Sequence, residues 1–182
     1  AYAIEARGNV VAVGLGFSDT TADSDNPPNT AAGYAISTDG GRSYTYRFAA
    51  LDQSRDSTVT YGISTLPAFP ATISQGAAPL DLALSPGADT LYSATLYAGL
   101  RRSTDDGATW ERVVLPPDSL FVLDPREPYD FFYNPDVRQP IAFVDGNPDF
   151  PVFAEYSENF VSLSVLVDEA GTVWAGTNAG LN

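Results

Sequence analysis

The chain has 182 residues and a formal net charge of −14, and all nine of its cationic residues are arginines. A field this negative repels nucleic acid and anionic membranes, so we expect neither nucleic-acid binding nor membrane insertion. His, Cys and Lys are absent. Their absence excludes, within this chain, a Ser-His-Asp triad, a thiol nucleophile, a His or Cys zinc site, a Schiff base and a Walker-type phosphate loop.

Hydrophobic residues make up 44% of the chain and aromatic residues 12%, which is typical of a folded domain. Its Val, Thr, Tyr and Phe residues, interrupted by Gly, Pro, Asn and Asp, predict strands joined by turns. No apolar run approaches the ~18 residues of a membrane span. Because the sequence opens with Ala1 and Tyr2 rather than Met and shows no signal-peptide pattern, we expect a processed or excised chain.

The first segment, residues 1–48, contains GNVVAVGLG at 8–16, which predicts a turn and an apolar strand. No third glycine or helical pattern follows GLG, so a strand end is predicted there rather than a dinucleotide-binding loop. An acidic loop comes next. Its candidate Ca²⁺ ligands are Asp19, Asp23 and Asp25, although a solvated loop is the favoured interpretation.

This segment ends in a spaced pattern of polar residues and an aromatic residue, which the chain repeats 66 residues later. The first turn motif, 37–44, comprises Ser37, Asp39, Gly41, Ser43 and Tyr44; the second turn motif, 103–110, comprises Ser103, Asp105, Gly107, Thr109 and Trp110. In a tight hairpin such an Asp accepts hydrogen bonds from nearby backbone amides, and the Gly adopts a conformation closed to other residues. The aromatic residue is expected to restart the strand and pack between neighbouring sheets.

Residues 49–78 predict either an insertion or a further unit without the motif, with one strand pair and a Pro-rich loop. Residues 79–115 then run strand, turn, strand, loop, strand, turn motif and strand, with Arg101 and Arg102 expected as charges at the rim. Residues 161–182 begin the same order again, because 172–177 matches 90–95. A recurring unit of four short antiparallel strands is typical of β-propeller blades.

Residues 116–160 form an aromatic insertion in which QPIAFVDGNPDFPVFAEY predicts strand, turn and strand. Its turn offers a second candidate Ca²⁺ set, Asp145, Asn147 and Asp149, but a plain turn is favoured because the later positions of a calcium loop do not match. Aromatic rings beside carboxylates suit sugars, and two carboxylates about 5 to 10 Å apart perform glycoside hydrolysis. The candidate catalytic residues are Asp130, Glu155, Tyr156 and Glu158, with Phe131, Phe132, Tyr133 and Phe153 as the neighbouring rings. Packing and loop anchoring is the favoured role of these rings.

The repeated unit resembles the Asp-box (BNR) repeat of sialidase-like and sortilin-like β-propellers, whose pattern is roughly Ser-x-Asp-x-Gly-x-Thr-Trp. Both turn motifs match at every defining position, with Ser43 in place of Thr and Tyr44 in place of Trp. The resemblance implies an all-β propeller with about three to four four-stranded antiparallel blades, present as a partial ring or fragment. It also implies that the motif is a structural turn on the outer rim and not the catalytic site.

The resemblance to sialidases is weaker at the residues that carry their activity. Those enzymes use a Tyr paired with a Glu, an Asp, and three Arg that grip the substrate carboxylate. Here Glu155 and Tyr156 are sequence neighbours, which on a strand would point to opposite faces. The Arg-Ile-Pro segment typical of the sialidase N-terminal region is missing.

We therefore expect a non-catalytic binding or scaffolding module of a secreted or cell-surface bacterial protein. Its expected partners are the rest of the same polypeptide, or another chain that completes the propeller, and a glycan or protein ligand. The alternative is a glycosidase of the sialidase or xyloglucanase propeller type, with active-site residues partly outside this chain. A propeller assembly factor of the photosystem type would be expected to show basic patches, which this acidic chain does not favour. No cofactor is expected, apart from Ca²⁺ if one of the acidic loops binds it.

Overall fold

The computed structural model describes residues 1–18, 29–47, 52–53, 57–68, 72–73, 78–95, 99–117, 120, 122–133, 142–143, 151–152, 162–177 and 180–181. These residues form β-strands and their connections, without a helix, which confirms the all-β prediction. No helix capable of crossing a membrane is found in this described part of the chain.

The strands form three larger sheets and three short pairs. The first sheet consists of β1 (Ala3–Arg7), β2 (Val10–Ser18), β3 (Asn29–Ser37) and β4 (Thr45–Arg47). The first insert, residues 48–78, holds two antiparallel pairs where the sequence predicted one: β5 (Asp52–Gln53) with β8 (Thr72–Ile73), and β6 (Thr58–Tyr61) with β7 (Ser64–Pro67). The second sheet consists of β9 (Pro79–Leu84), β10 (Leu91–Thr95), β11 (Gly99–Ser103) and β12 (Glu111–Arg112).

The second insert, residues 113–161, contains the predicted antiparallel pair, β13 (Ala142–Phe143) with β14 (Pro151–Val152). The third sheet consists of β15 (Ser162–Val167), β16 (Val173–Thr177) and β17 (Gly180–Leu181). Each sheet is antiparallel and follows chain order. The first two sheets also share a register, because Ser37 opposes Val11 as Ser103 opposes Leu91. Equivalent side chains of these two sheets therefore point to equivalent faces.

One face of the first sheet packs against the second sheet. The buried core between them consists of Ala3, Ala12, Tyr34, Ile36, Leu82, Leu84 and Leu91. The Tyr34 hydroxyl shares a hydrogen bond of 2.9 Å with the Ser93 hydroxyl, and its ring stacks on Trp110 at 4.4 Å between centroids. Trp110 thus packs between two sheets, as expected of the motif aromatic. Tyr44, its counterpart on the outer face of the first sheet, is 49% exposed.

The opposite face of the second sheet packs against the third sheet. Their shared core includes Ala83, Ala94, Leu100, Val165, Val167 and Ala175, together with apolar residues of both inserts. The carboxylate of Asp81 on β9 accepts a hydrogen bond of 2.9 Å from the Val165 amide on β15. Strand β9 therefore lies between β1 and β15, and the first strands of the three sheets are neighbours.

The two inserts leave the sheets at the same edge. In a four-stranded antiparallel sheet the fourth strand ends where the first begins, and the inserts join β4 to β9 and β12 to β15. The corresponding edges of the first and second sheets lie side by side. Gly14 opposes Ala3 at the start of β1, and a Cβ built on Gly14 would lie only 2.8 Å from Pro79 at the start of β9. We call this the loop edge, and we call the opposite edge, which carries both turn motifs, the turn edge.

The outer faces of the first and third sheets expose large apolar side chains. On the first sheet, Ile4 and Tyr46 are 68% and 46% exposed and share one cross-strand row with Val13 and Ala35. On the third sheet, Leu166 opposes Trp174, and the two are 62% and 41% exposed. Contiguous apolar surface on a sheet face is typical of a face that another layer buries.

Arg101 departs from its expected place at the rim. It is only 6% exposed, because it opposes Ser93 on the face that the first sheet covers. Burial raises the pKa of the neighbouring Tyr34, and the hydrogen bond with Ser93 and the charge of Arg101 act in the opposite direction. Arg102 is exposed as predicted and pairs with Glu111, with 3.1 Å between Nε and Oε2.

Candidate functional site

The repeated Asp of the two turn motifs places one carboxylate of each motif at the turn edge. In the first turn motif, the Asp39 carboxylate accepts hydrogen bonds from the Ser37 hydroxyl, from the amides of Arg42 and Ser43, and from the Ser43 hydroxyl, at 2.6 to 2.9 Å. The Ser37 hydroxyl in turn accepts from the amide of Gly41 at 2.9 Å. The side chains therefore hold the backbone of their own turn.

The second turn motif repeats this arrangement closely. Asp105 accepts from the Ser103 hydroxyl at 2.8 Å, from the Thr109 amide at 2.8 Å and from the Thr109 hydroxyl at 2.6 Å. Gly41 and Gly107 have φ angles of 84° and 75°, in the left-handed region that favours glycine. The spacing of Ser, Asp, Gly and Ser or Thr in the motif thus places each side chain where it can hydrogen-bond the backbone of the same turn.

These hydrogen bonds set the acidity of both carboxyls. The hydroxyl of Ser43, followed by its amide and the hydroxyl of Ser37, lowers the pKa of Asp39 to about 2. Thr109 and Ser103 lower the pKa of Asp105 to about 2 in the same order. A carboxylate that is ionised this firmly and engaged within its turn is a poor proton donor. The turn edge therefore offers no reactive carboxylate at Asp39 or Asp105, and the candidate site lies at the loop edge.

At the loop edge the two inserts dock against each other. The Ile63 amide donates to the Pro125 carbonyl at 3.1 Å, and the Tyr133 amide donates to the Pro67 carbonyl at 2.8 Å. Residues Ala68 and Tyr133 also form an isolated parallel bridge. Segments that are more than 60 residues apart in the sequence thus build one structure, whose apolar side joins the core of the second and third sheets.

Tyr129 is the central residue of this docked structure. Its amide donates to the Ser64 hydroxyl at 2.9 Å, and its own hydroxyl accepts from the Asp124 amide at 3.0 Å. Its ring lies 6.2 Å from the rings of Tyr61 and Phe131, in tilted and edge-to-face arrangements. Because the backbone amide and the hydroxyl of Tyr129 are both hydrogen-bonded, its ring is held in place and forms a rigid wall at the surface.

Beside this wall lies an open cleft of about 510 Å³. Its lining residues are Pro117, Leu120, Pro128, Tyr129, Asp130 and Phe131. Prolines and half-buried rings form an apolar surface, and Asp130 adds one exposed carboxylate. Among the described residues, no hydrogen bond to the Asp130 side chain is found, so its oxygens can serve a ligand.

The cleft brings together only part of the predicted catalytic cluster. Asp130 and Phe131 line it, Phe132 is 45% exposed beside it, and Tyr133 is buried in the core. Glu155, Tyr156 and Glu158 lie outside the described residues, as do the candidate Ca²⁺ ligands Asp19, Asp23, Asp25, Asp145, Asn147 and Asp149. Within the described ranges, no group of three acidic residues could hold a metal ion.

Four lining residues were not singled out from the sequence: Pro117, Leu120, Pro128 and Tyr129. Tyr129 stands next to Asp130 and Phe131 in PYDFF, and this adjacency of rings and a carboxylate was the signal that could have found it. Pro117 and Leu120 carry no such local signal. Comparisons with protein-family models, curated proteins and solved structures give no match to this chain.

Proposed function

We propose that this chain is part of an Asp-box β-propeller and acts as a non-catalytic binding or scaffolding module, secreted or at the bacterial cell surface. The observation that carries the binding role is the aromatic cleft, built at the loop edge where two inserts dock. Loops presented by a rigid β-scaffold are a common position for ligand sites.

Three features support the propeller. Successive sheets repeat one strand order, their first strands are neighbours, and the turn motifs close the third-to-fourth strand connections. The apolar outer faces around Ile4 and Leu166 then become surfaces for further blades, supplied by the same polypeptide or by another chain. The absence of cysteine is compatible with a secreted bacterial protein that does without disulfides, as it is with a protein of a reducing compartment.

The binding role is tested by titrating the ¹⁵N-labelled chain with a panel of neutral oligosaccharides and with peptides of acidic, neutral and basic sequence. We expect saturable shifts of the amide signals of Leu120, Asp130 and Phe131, with the signals of Gly41 and Gly107 at the turn edge unchanged. A control variant, Phe132→Leu, alters an exposed ring that is outside the lining and keeps the response. Shifts confined to the turn edge, or no saturable shift with any probe, would count against the proposal.

A propeller glycosidase is the second candidate, because the Asp130 carboxylate lies among aromatic rings in the cleft. Such an enzyme needs a second carboxyl group about 5 to 10 Å away, and among the described residues that line the cleft Asp130 is the only acid. Turnover of 4-nitrophenyl glycosides by the chain, abolished in Asp130→Asn, would favour this candidate over a non-catalytic module.

A further inference from the structure

The segment that forms most of the cleft is predominantly acidic in sequence. Residues 115–133 contain four acidic residues and a single arginine, Arg126. That arginine is already paired with Asp124, with 2.9 Å between Nε and Oδ1, and among the described residues that line the cleft Asp130 is the only charged one. With a net charge of −14 for the whole chain, the local field attracts cations and opposes anionic ligands such as acidic sugars.

The side chains that the structure describes in the lining offer mainly hydrogen-bond acceptors. The Asp130 carboxylate only accepts, and the Tyr129 hydroxyl, which accepts from the Asp124 amide, contributes a single O–H that can donate. A neutral sugar needs donors and acceptors together, whereas a guanidinium or ammonium group only donates. Aromatic ring faces also attract such cations, best where the rings are held in place. Tyr129 and Phe131, with centroids 6.2 Å apart, provide that surface beside the carboxylate.

We propose that the cleft binds an arginine or lysine side chain from a basic polypeptide segment, with the cation against the Asp130 carboxylate and its alkyl stem on the rings of Tyr129 and Phe131. This inference rests on the proposed binding role and specifies its ligand. A polypeptide suits the site better than a small free cation, because the open cleft of about 510 Å³ exceeds one side chain. Pro117, Leu120 and Pro128 offer the remaining apolar surface to the residues on either side.

The test uses the peptide acetyl-Pro-Arg-Pro-Arg-Pro-amide and a counterpart in which citrulline, a neutral isostere, replaces each arginine. Binding is followed by the amide shifts of Asp130 and Phe131 at low and high salt. We expect the arginine peptide to bind at least about tenfold more tightly than the citrulline peptide, since a charged hydrogen bond is lost. Raising the salt from about 50 mM to about 500 mM should remove most of this preference.

Two variants locate the interaction. Asp130→Asn keeps the size of the side chain and should erase the preference for arginine, and Phe131→Leu should weaken the binding of both peptides. Asp106→Asn is the matched control. It makes the same charge change at an exposed position on the turn edge, where a φ of 55° also suits Asn, and it should retain the preference.

Each other outcome overturns the inference in a distinguishable way. Equal binding of the two peptides, or an unchanged preference in Asp130→Asn, would show that the cation is not recognised in the cleft. Tetramethylammonium or guanidinium chloride giving the same shifts at the same affinity as the peptide would make a free cation the ligand. A neutral oligosaccharide that shifts the same signals while neither peptide does would refute the inference but leave the proposed binding role intact.

Discussion

The ionisation of Asp39 and that of Asp105 are each coupled to the stability of the turn in which the residue lies. Their pKa values of about 2 lie below the ordinary aspartate value of 3.8, chiefly because a hydroxyl four residues later donates to each carboxylate. A lowered pKa in the folded state means that folding favours the ionised form. The resulting stability is complete above pH 3.8 and is lost as the pH falls through about 2.

Substitution of the donor tests this account. In Thr109→Val, which removes a hydroxyl and keeps the side-chain shape, we expect the pKa of Asp105 to rise, because the largest cause of its depression is gone. The pKa of Asp39 should stay at about 2 and serves as the internal control. The ¹³C shifts of the carboxyl carbons, followed from pH 7 downward while the chain remains folded, measure both values. Titration of Asp105 near 3.8 in the unsubstituted chain, or a joint rise of both residues, would refute this explanation.

At the scale of residues, the sequence predicted the local turns well and the burial of single residues less well. The turn motif is predictable because its contacts span at most four residues, from Ser37 to Gly41 and from Asp39 to Ser43. The burial of Arg101 was not predictable. It depends on which face of β11 the first sheet covers, and no pattern next to the residue encodes that.

Among the elements, the docking of the two inserts depends on close backbone approach at Gly62. Its φ is 54°, and a Cβ built there would overlap the Pro125 carbonyl oxygen, beside the hydrogen bond from Ile63 to the same carbonyl. Gly8 also has a positive φ, 60°, but a Cβ there would meet nothing within 4 Å. Alanine substitutions at Gly62 and Gly8 therefore separate the cost of a left-handed backbone conformation from the cost of a steric clash.

We expect Gly62→Ala to lower the free energy of unfolding by about 1–3 kcal/mol more than Gly8→Ala does, because only the former forces the inserts apart. Both variants share the cost of a left-handed alanine, about 1–2 kcal/mol. Urea unfolding measures the difference. Hydrogen exchange at the Ile63 and Tyr133 amides should accelerate in Gly62→Ala alone. Equal losses of stability in the two variants would mean that the backbone at Pro125 moves away from the added methyl group without a loss of stability.

The strand order of the three sheets was predictable, whereas the structure of the inserts and of the candidate site was predictable only in part. Alternating apolar residues and turn signals recur in each unit, so the elements follow from local pattern. The wall of the cleft depends instead on the contact between Ser64 and Tyr129, which are 65 residues apart. The aromatic composition of the second insert indicated Asp130 and Phe131, but it could not indicate that Tyr133 is buried against the first insert.

On the scale of the whole molecule, each sheet buries one face against the next, and the two outermost faces are left apolar. Ile4 on the first sheet occupies the position that Leu82 holds on the second, since Ile4 opposes Val13 as Leu82 opposes Ser93, and Ala6 likewise corresponds to Leu84. Leu82 and Leu84 are buried against the first sheet. Because Ile4 is equivalent to Leu82, we infer that the outer face of the first sheet packs against a further sheet, as the second sheet packs against the first.

Exposed faces of this kind should cause the chain on its own to associate in spite of its charge. We expect the apparent mass in sedimentation velocity to rise with protein concentration, and Ile4→Ser to suppress that rise. Because Ile4 is 68% exposed, this substitution should change the free energy of unfolding by no more than about 0.5 kcal/mol. Ile63→Ser is the matched control, since Ile63 is 70% exposed but lies on the first insert.

If both isoleucine variants suppress association equally, general surface hydrophobicity is responsible and the sheet face has no special role. If the unsubstituted chain stays monomeric at every concentration, the −14 charge outweighs apolar attraction and the face needs a partner of different charge. Suppression by Ile4→Ser alone identifies the face as the contact. A second substitution, Leu166→Ser on the third sheet, then decides its geometry. If the Ile4 face of one chain contacts the Leu166 face of the next, either substitution weakens the association. If two Ile4 faces contact each other, Leu166→Ser leaves the association unchanged.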